Sequence, residues 1–330
     1  MSYPKPLSQK SIEKLYRESG FAQEKIRFLH DFFAACVNLY GAISLRDAWV
    51  VYRKLESVPR IQRKELFAFS SIARREAQPY YVFEIEEIYP DEPHNASDCH
   101  IVSKDLVGSG YYRFEQLNNL FDQVSVREYC VPEDFLSFAN PQPTTAETDL
   151  FAFLSSLVST ADTCAPNHGK AIPNVHKGKK LDEFSFLNAS ERFEAEWLNK
   201  QPSAKAVFLE ECSGSEAEKI MRFYKKAENI GFMTPTDVLQ YTLDELNEAG
   251  VEMNVRQIEK LANLITEYHN GSRLWCTAGW KPEELATMHK SSGPLSISFG
   301  PGFQKAFADG VMDKEELVRK MREMGIEIIN

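Results

Sequence analysis

The sequence predicts a mainly α protein with a small β-hairpin (α+β), arranged as a winged-helix-like N-terminal module followed by a helical bundle. Three observations carry this. Apolar residues recur at helical spacing between residues 24 and 75. Two runs rich in aromatic and β-branched residues, Tyr80–Ile88 and Cys99–Val107, flank a turn-rich segment, Pro90–Asp98. From residue 215 onward, a capping residue followed three positions later by an acid or amide recurs, with glycine at the helix ends.

Taken in order, Ile26, Leu29, Phe32, Phe33, Cys36 and Leu39 mark a helix over 24–40, and Gly41 follows it. Ser44 suits the N-cap of a second helix that runs to Leu55, before Pro59 breaks the chain. Leu66, Phe67, Phe69 and Ile72 give a third helix over 63–75. The two β runs come next, then a helix over 114–121 and a turn at Pro132–Phe138. Helix, helix, helix, strand, loop, strand is the layout of a winged helix-turn-helix. Residues 139–147 read as a linker, 148–159 as a helix and 161–180 as a long loop without periodicity.

The last part is punctuated most clearly. Ser215 with Glu218, Thr234 with Asp237, Asn254 with Gln257 and Asp313 with Glu316 form capping boxes. Met233, Met253 and Met312 precede three of these caps, where each can staple onto the apolar residue four positions into the helix. Gly231, Gly250, Gly271 and Gly325 supply the stops. The helices expected are 216–230, 235–249, 255–269 and 314–324. The chain of 330 residues exceeds one core. The domains expected are 1–140, the winged-helix-like module; 141–185, a linker, helix and long loop; and 186–330, a helical domain with its bundle at 215–270 and a C-terminal extension.

Composition narrows the class. Hydrophobic residues make up 43%, with 22 Phe and 13 Tyr, which supplies enough apolar area for real cores. The net charge of −10 argues against nonspecific coating of nucleic acid. The polar start lacks the apolar region of a signal peptide, and apolar stretches stay well below the roughly 20 residues of a membrane span. The six cysteines are scattered without a CxxC pair, as in reduced thiols of a cytoplasmic protein. No membrane partner is expected.

Two stretches carry a resemblance. The first is Leu39-Tyr40-Gly41-Ala42-Ile43, with a helix pair, a Tyr-Tyr strand and His100-Ile101-Val102 after it. The second is Asn270-Gly271-Ser272-Arg273-Leu274-Trp275, followed by Gly279-Trp280-Lys281-Pro282-Glu283-Glu284-Leu285. Together they cover about half the chain. They resemble a group of uncharacterised bacterial proteins, many of which end in a cysteine-rich SEC-C zinc-binding tail. Here no cysteine follows Cys276, so the resemblance brings no zinc tail and no activity.

Motifs with a known mechanism are missing from the sequence: there is no phosphate loop, dinucleotide fingerprint, HExxH or GxSxG. His94, Cys99, His100 and Cys130 form one loose metal set, and Cys164, His168 and His176 another. Adjacent Cys99 and His100 on a strand point to opposite faces, which suits ordinary packing better than one tetrahedral centre. No metal and no cofactor is expected, and no catalytic residue is assigned.

The informative charge feature is residues 51–76, with seven basic residues against three acidic ones. Arg60, Arg63, Lys64, Arg74 and Arg75 are the candidate partner- or nucleic-acid-binding residues. Glu84, Glu86, Glu87, Asp91 and Glu92 follow, which is the wrong sign for a wing on a DNA backbone. Arg273, Trp275 and Trp280 form a second candidate patch, with burial as a structural staple as the alternative. The function expected is a non-enzymatic binding or adaptor protein that docks a protein partner. The alternatives are a DNA-binding regulator acting through helix 63–75, or an enzyme with a site between its halves.

Overall fold

A computed structural model describes residues 3–89, 99–107, 114–124, 127–164, 214–231, 233–291, 295–297 and 326–328. These form a mainly helical protein with a small three-stranded antiparallel sheet. Its compact units are Met1–Trp280 and Lys281–Asn330.

The first helix, α1 (Gln9–Glu18), is not signalled by the sequence pattern, because it buries only Ile12 and Tyr16. Ser8 caps it, accepting a hydrogen bond from the Ser11 amide. Helix α2 (Gln23–Tyr40) is the centre of the module. Leu29, Phe32, Phe33, Ala35 and Cys36 lie on several of its sides, and all are fully buried. A helix apolar nearly all round must be wrapped by its neighbours. It stops at Gly41, whose φ of +70° puts the backbone where an L side chain is strained.

The chain then makes a three-residue strand, β1 (Ala42–Ser44). Ser44 begins α3 (Leu45–Lys54) as its N-cap, accepting from the Asp47 amide at 3.0 Å. Helix α4 (Arg63–Ala73) follows the Pro59 break. Strand β2 (Tyr80–Phe83) is shorter than the expected run to Ile88. Glu87 accepts from the Glu84 amide at 2.9 Å and turns the chain into a short helix, α5 (Ile85–Ile88). Likewise β3 (His100–Ser103) stops early, because the Ser103 hydroxyl accepts from the Asp105 amide and opens a 3-10 turn.

In space the strands run β1-β3-β2, all antiparallel, with Val102 opposite both Ala42 and Tyr81. The alternation of the strands divides two cores. Ile43, Tyr80, Val82 and Ile101 face the α2 core. Ala42, Phe83 and Val102 face the other side, where α6 (Glu115–Val124) adds Leu117, Leu120 and Val124. A 3-10 turn at Phe135–Ala139 lies along α2, with the Phe135 ring 5.6 Å from that of Phe32.

A third core belongs to the bundle. Its helices are α7 (Thr145–Cys164), α8 (Glu216–Asn229), α9 (Pro235–Glu248) and α10 (Val255–Gly271). The sequence reading keeps α7 apart from the bundle, in the 141–185 segment. Its Leu150, Leu154 and Leu157 are buried with Ile220, Tyr224, Val238, Leu261 and Ile265, so α7 is a bundle helix. The capping boxes of Ser215, Thr234 and Asn254 all form. Met233 and Met253 pack at the edge of the core, as staples do. The Asp313 box, helix 314–324 and the loop beyond residue 164 lie outside the described residues.

The second unit contains α11 (Pro282–Ser291) and the parallel strands β4 (Leu295–Ile297) and β5 (Ile326–Ile328). Among the described residues, no helix is long and apolar enough to cross a membrane.

Candidate functional site

The basic residues picked out by sequence cluster on and around α4, but they are not equivalent. Leu66, Phe69, Ile72 and Ala73 turn one side of α4 into the core. Lys64, Ala68, Ser71 and Arg75 are exposed at spacings of four, three and four residues, which places them on one outward stripe. Arg60 and Arg63 are exposed at its N-terminal end. The Arg63 guanidinium sits over the half-buried Phe67 ring, 5.5 Å from its centroid. Lys25 pairs with Glu65 at 2.7 Å, and together with the Gln62 amide this holds the Glu65 carboxyl below its usual range.

Arg74 is used differently. Its side chain is 13% exposed, and its guanidinium is gripped by Glu84 and by Glu87, the latter at 2.9 Å. The Tyr3 ring lies under it at 5.9 Å. Arg74 therefore joins the end of α4 to α5 and does not belong to the outward face. Two of the acidic residues that argue against a DNA-contacting wing are its partners.

A groove of about 370 Å³ opens on another side of the module. Asp47, Val50 and Lys54 of α3, His100 of β3, Phe121 of α6 and Tyr129 line it. Asp47 accepts the Ser44 hydroxyl at 2.7 Å, and Lys54 lies 3.7 Å from Glu128. Burial pushes the Tyr129 phenol well above its ordinary pKa. One face of α3 meets residues from β3, α6 and the segment at Tyr129 only in the fold, so no sequence signal announces the groove.

The second candidate patch lies largely inside the protein. Trp275 is buried, and its indole N–H donates to the Asn38 carbonyl at 3.0 Å. The Trp280 indole donates to the Glu128 carbonyl at 2.9 Å. Arg273 donates to the Gly279 carbonyl at 3.0 Å and reaches Cys130 Sγ at 3.2 Å. The Ala278 carbonyl accepts from the Cys130 amide at 3.0 Å, and the Tyr40 hydroxyl donates to the Cys130 carbonyl at 2.5 Å. This segment is a strap from the end of the bundle across the N-terminal module. It also brings the two stretches that carry the resemblance together: Trp275 lies on Gly41, and Gly279 lies on Tyr40.

Cys36, Cys99, Cys130 and Cys276 are free thiols. Burial raises the Cys36 and Cys276 pKa values, the latter to about 11. Among the described residues, no three His, Cys, Asp or Glu side chains converge to hold a metal ion. His94, His168 and His176 lie outside them. No family model, curated protein or solved structure matches the chain.

Proposed function

We propose that the chain is a non-enzymatic binding module that docks an acidic segment of a protein partner on the outward face of α4. The observation that supports this reading is the composition of that face. Arg60, Arg63, Lys64 and Arg75 are exposed around a small-residue centre of Ala68 and Ser71, while Arg74 is engaged by Glu84 and Glu87. Four cations beside an acidic neighbour offer little phosphate neutralisation, and nonspecific affinity for DNA rises with the number of phosphates neutralised. The Arg63–Phe67 stack is instead the kind of arginine–aromatic anchor that protein interfaces favour.

Duplex DNA is the second reading. It rests on the winged-helix-like layout expected from the sequence, in which α4 would be the recognition helix, and is supported by the antiparallel pairing of β2 and β3, the strands after α4, with the short helix α5 between them. Anisotropy titrations separate the two. A labelled Glu-rich peptide should bind, and the double variant Arg63→Glu/Lys64→Glu should lose that binding. Random duplex should bind no tighter than about 10 μM at roughly 150 mM salt. Submicromolar, steeply salt-dependent binding to duplex would make nucleic acid the ligand.

A further inference from the structure

Four polar side chains from four parts of the N-terminal module meet in one half-buried chain of hydrogen bonds. Tyr16 comes from α1, His30 from α2, Glu76 from the turn after α4, and Tyr80 from β2. The Tyr16 hydroxyl donates to the Glu76 carboxylate. Its oxygen is then the acceptor for His30 Nε2–H, 3.3 Å away. That leaves His30 Nδ1 as the acceptor for the Tyr80 hydroxyl at 2.9 Å. The neutral imidazole satisfies both neighbours, donating on one side and accepting on the other.

A charged imidazole does not fit this chain. It donates from both nitrogens, so Nδ1–H would meet the Tyr80 O–H. Tyr80 is buried and would have to reverse its hydroxyl there. Phe69 lies edge-on to the His30 ring at 4.8 Å, so the charge would also sit against an apolar wall. Two carboxylates favour the charge: Glu76, with an oxygen 3.5 Å from Nε2, and Asp31 on α2 itself. Glu76 is already shared, accepting from Tyr16 and, at 2.8 Å, from Gln78.

We propose that His30 is an acid-operated latch: α1, through Tyr16, closes over the ring in a setting that suits only its neutral form, and charging the ring favours the open form, in which α1 lifts away and water reaches the imidazole. Among the described residues, few other contacts fasten this helix: it buries Ile12 and Tyr16, Leu15 packs half-buried on the core, and just before it the Leu7 amide donates to the Arg75 carbonyl at 2.8 Å. Release uncovers Phe21 and Phe69, whose rings lie 6.0 and 5.8 Å from that of Tyr16. This surface borders α4, and the latch does not depend on what α4 binds. The titration direction agrees, since burial lowers the His30 pKa below its ordinary 6.5 despite the opposing Glu76 and Asp31. A base with a lowered folded pKa stabilises the closed form fully above its unfolded value. That stabilisation declines as pH falls below about 6.5 towards the folded value.

Hydrogen exchange of residues 9–18 in the full chain, corrected for intrinsic rates, tests the latch at pH values about one unit either side of 6.5. In the wild type, α1 protection should fall severalfold on acidification while α2 protection stays. In His30→Gln, which cannot take up the charge, α1 protection should be the same at both pH values. Should that variant fail to fold, the wild-type protein still decides the question: the NMR titration of the His30 ring must share its midpoint with α1 release. Equal α1 protection at both pH values, an undiminished drop in His30→Gln, or a His30 titration that does not track release would each overturn the latch.

Discussion

The indole of Trp275 fills the space into which any side chain at position 41 would project. A Cβ on Gly41 would lie 2.5 Å from Trp275 Cδ2 and 2.6 Å from Cε3. Gly41→Ala therefore meets two obstacles: the ring itself, and a φ of +70° that alanine rarely adopts. Overpacking alone typically costs about 1–3 kcal/mol. Gly41→Ala should lower the urea midpoint accordingly and shift the tryptophan fluorescence.

The Arg74 clamp gives a second expected outcome. Arg74→Ala strands Glu87, which is only 5% exposed, without its cation. Breaking a buried pair on one side costs about 3–5 kcal/mol, and the partly exposed Glu84 arm places this case at the lower end. Arg75→Ala, one residue on and exposed, should leave the denaturation midpoint nearly unchanged. Equal midpoints for the two variants would show that the clamp is not structural.

The bundle caps can be tested singly. Asn254→Ala removes the acceptor that holds the Gln257 amide at 3.1 Å, and should cost about 1 kcal/mol. Thr234→Ala should destabilise in the same direction, by loss of the bond from the Asp237 amide. Chemical denaturation followed by far-UV circular dichroism reads both.

Helix α7 supplies the last test. Leu154 is 1% exposed within the bundle core, so Leu154→Ala should cost about 2–5 kcal/mol. The neighbouring exposed Phe151→Ala should cost far less. A small effect of Leu154→Ala on a calorimetric transition would remove α7 from the core.

Much of the helical framework was legible in the sequence because its signals are local. The caps at Ser44, Ser215, Thr234 and Asn254 need only a side chain and an amide three residues on, and all four form. Helix α1 was not legible, since two buried residues make no periodicity. Strand β1 has three residues, too short to alternate visibly. The membership of α7 was hidden because its next partner in the chain, α8, begins at Glu216. The α4 cations were legible as charge, but the diversion of Arg74 was not. It depends on Glu84 and Glu87, whose run of glutamates reads equally well as a solvated strand end. The groove beside α3 and the seat of Trp275 depend wholly on long-range contacts.

The strap sets an order on assembly. Trp275 and the Asn38 carbonyl that receives its indole are 237 positions apart. A chain emerging from the ribosome presents this receiving surface long before the ring that covers it is made. Contacts of such sequence separation are slow to form, and apolar surface left open meanwhile invites association. A fragment ending at residue 140 would carry the same vacancy permanently, with Ala42, Val102 and Leu120 lacking the Trp275 side of their core. The two ends of the first compact unit therefore mature together, and the N-terminal module is completed by the last residues of that unit.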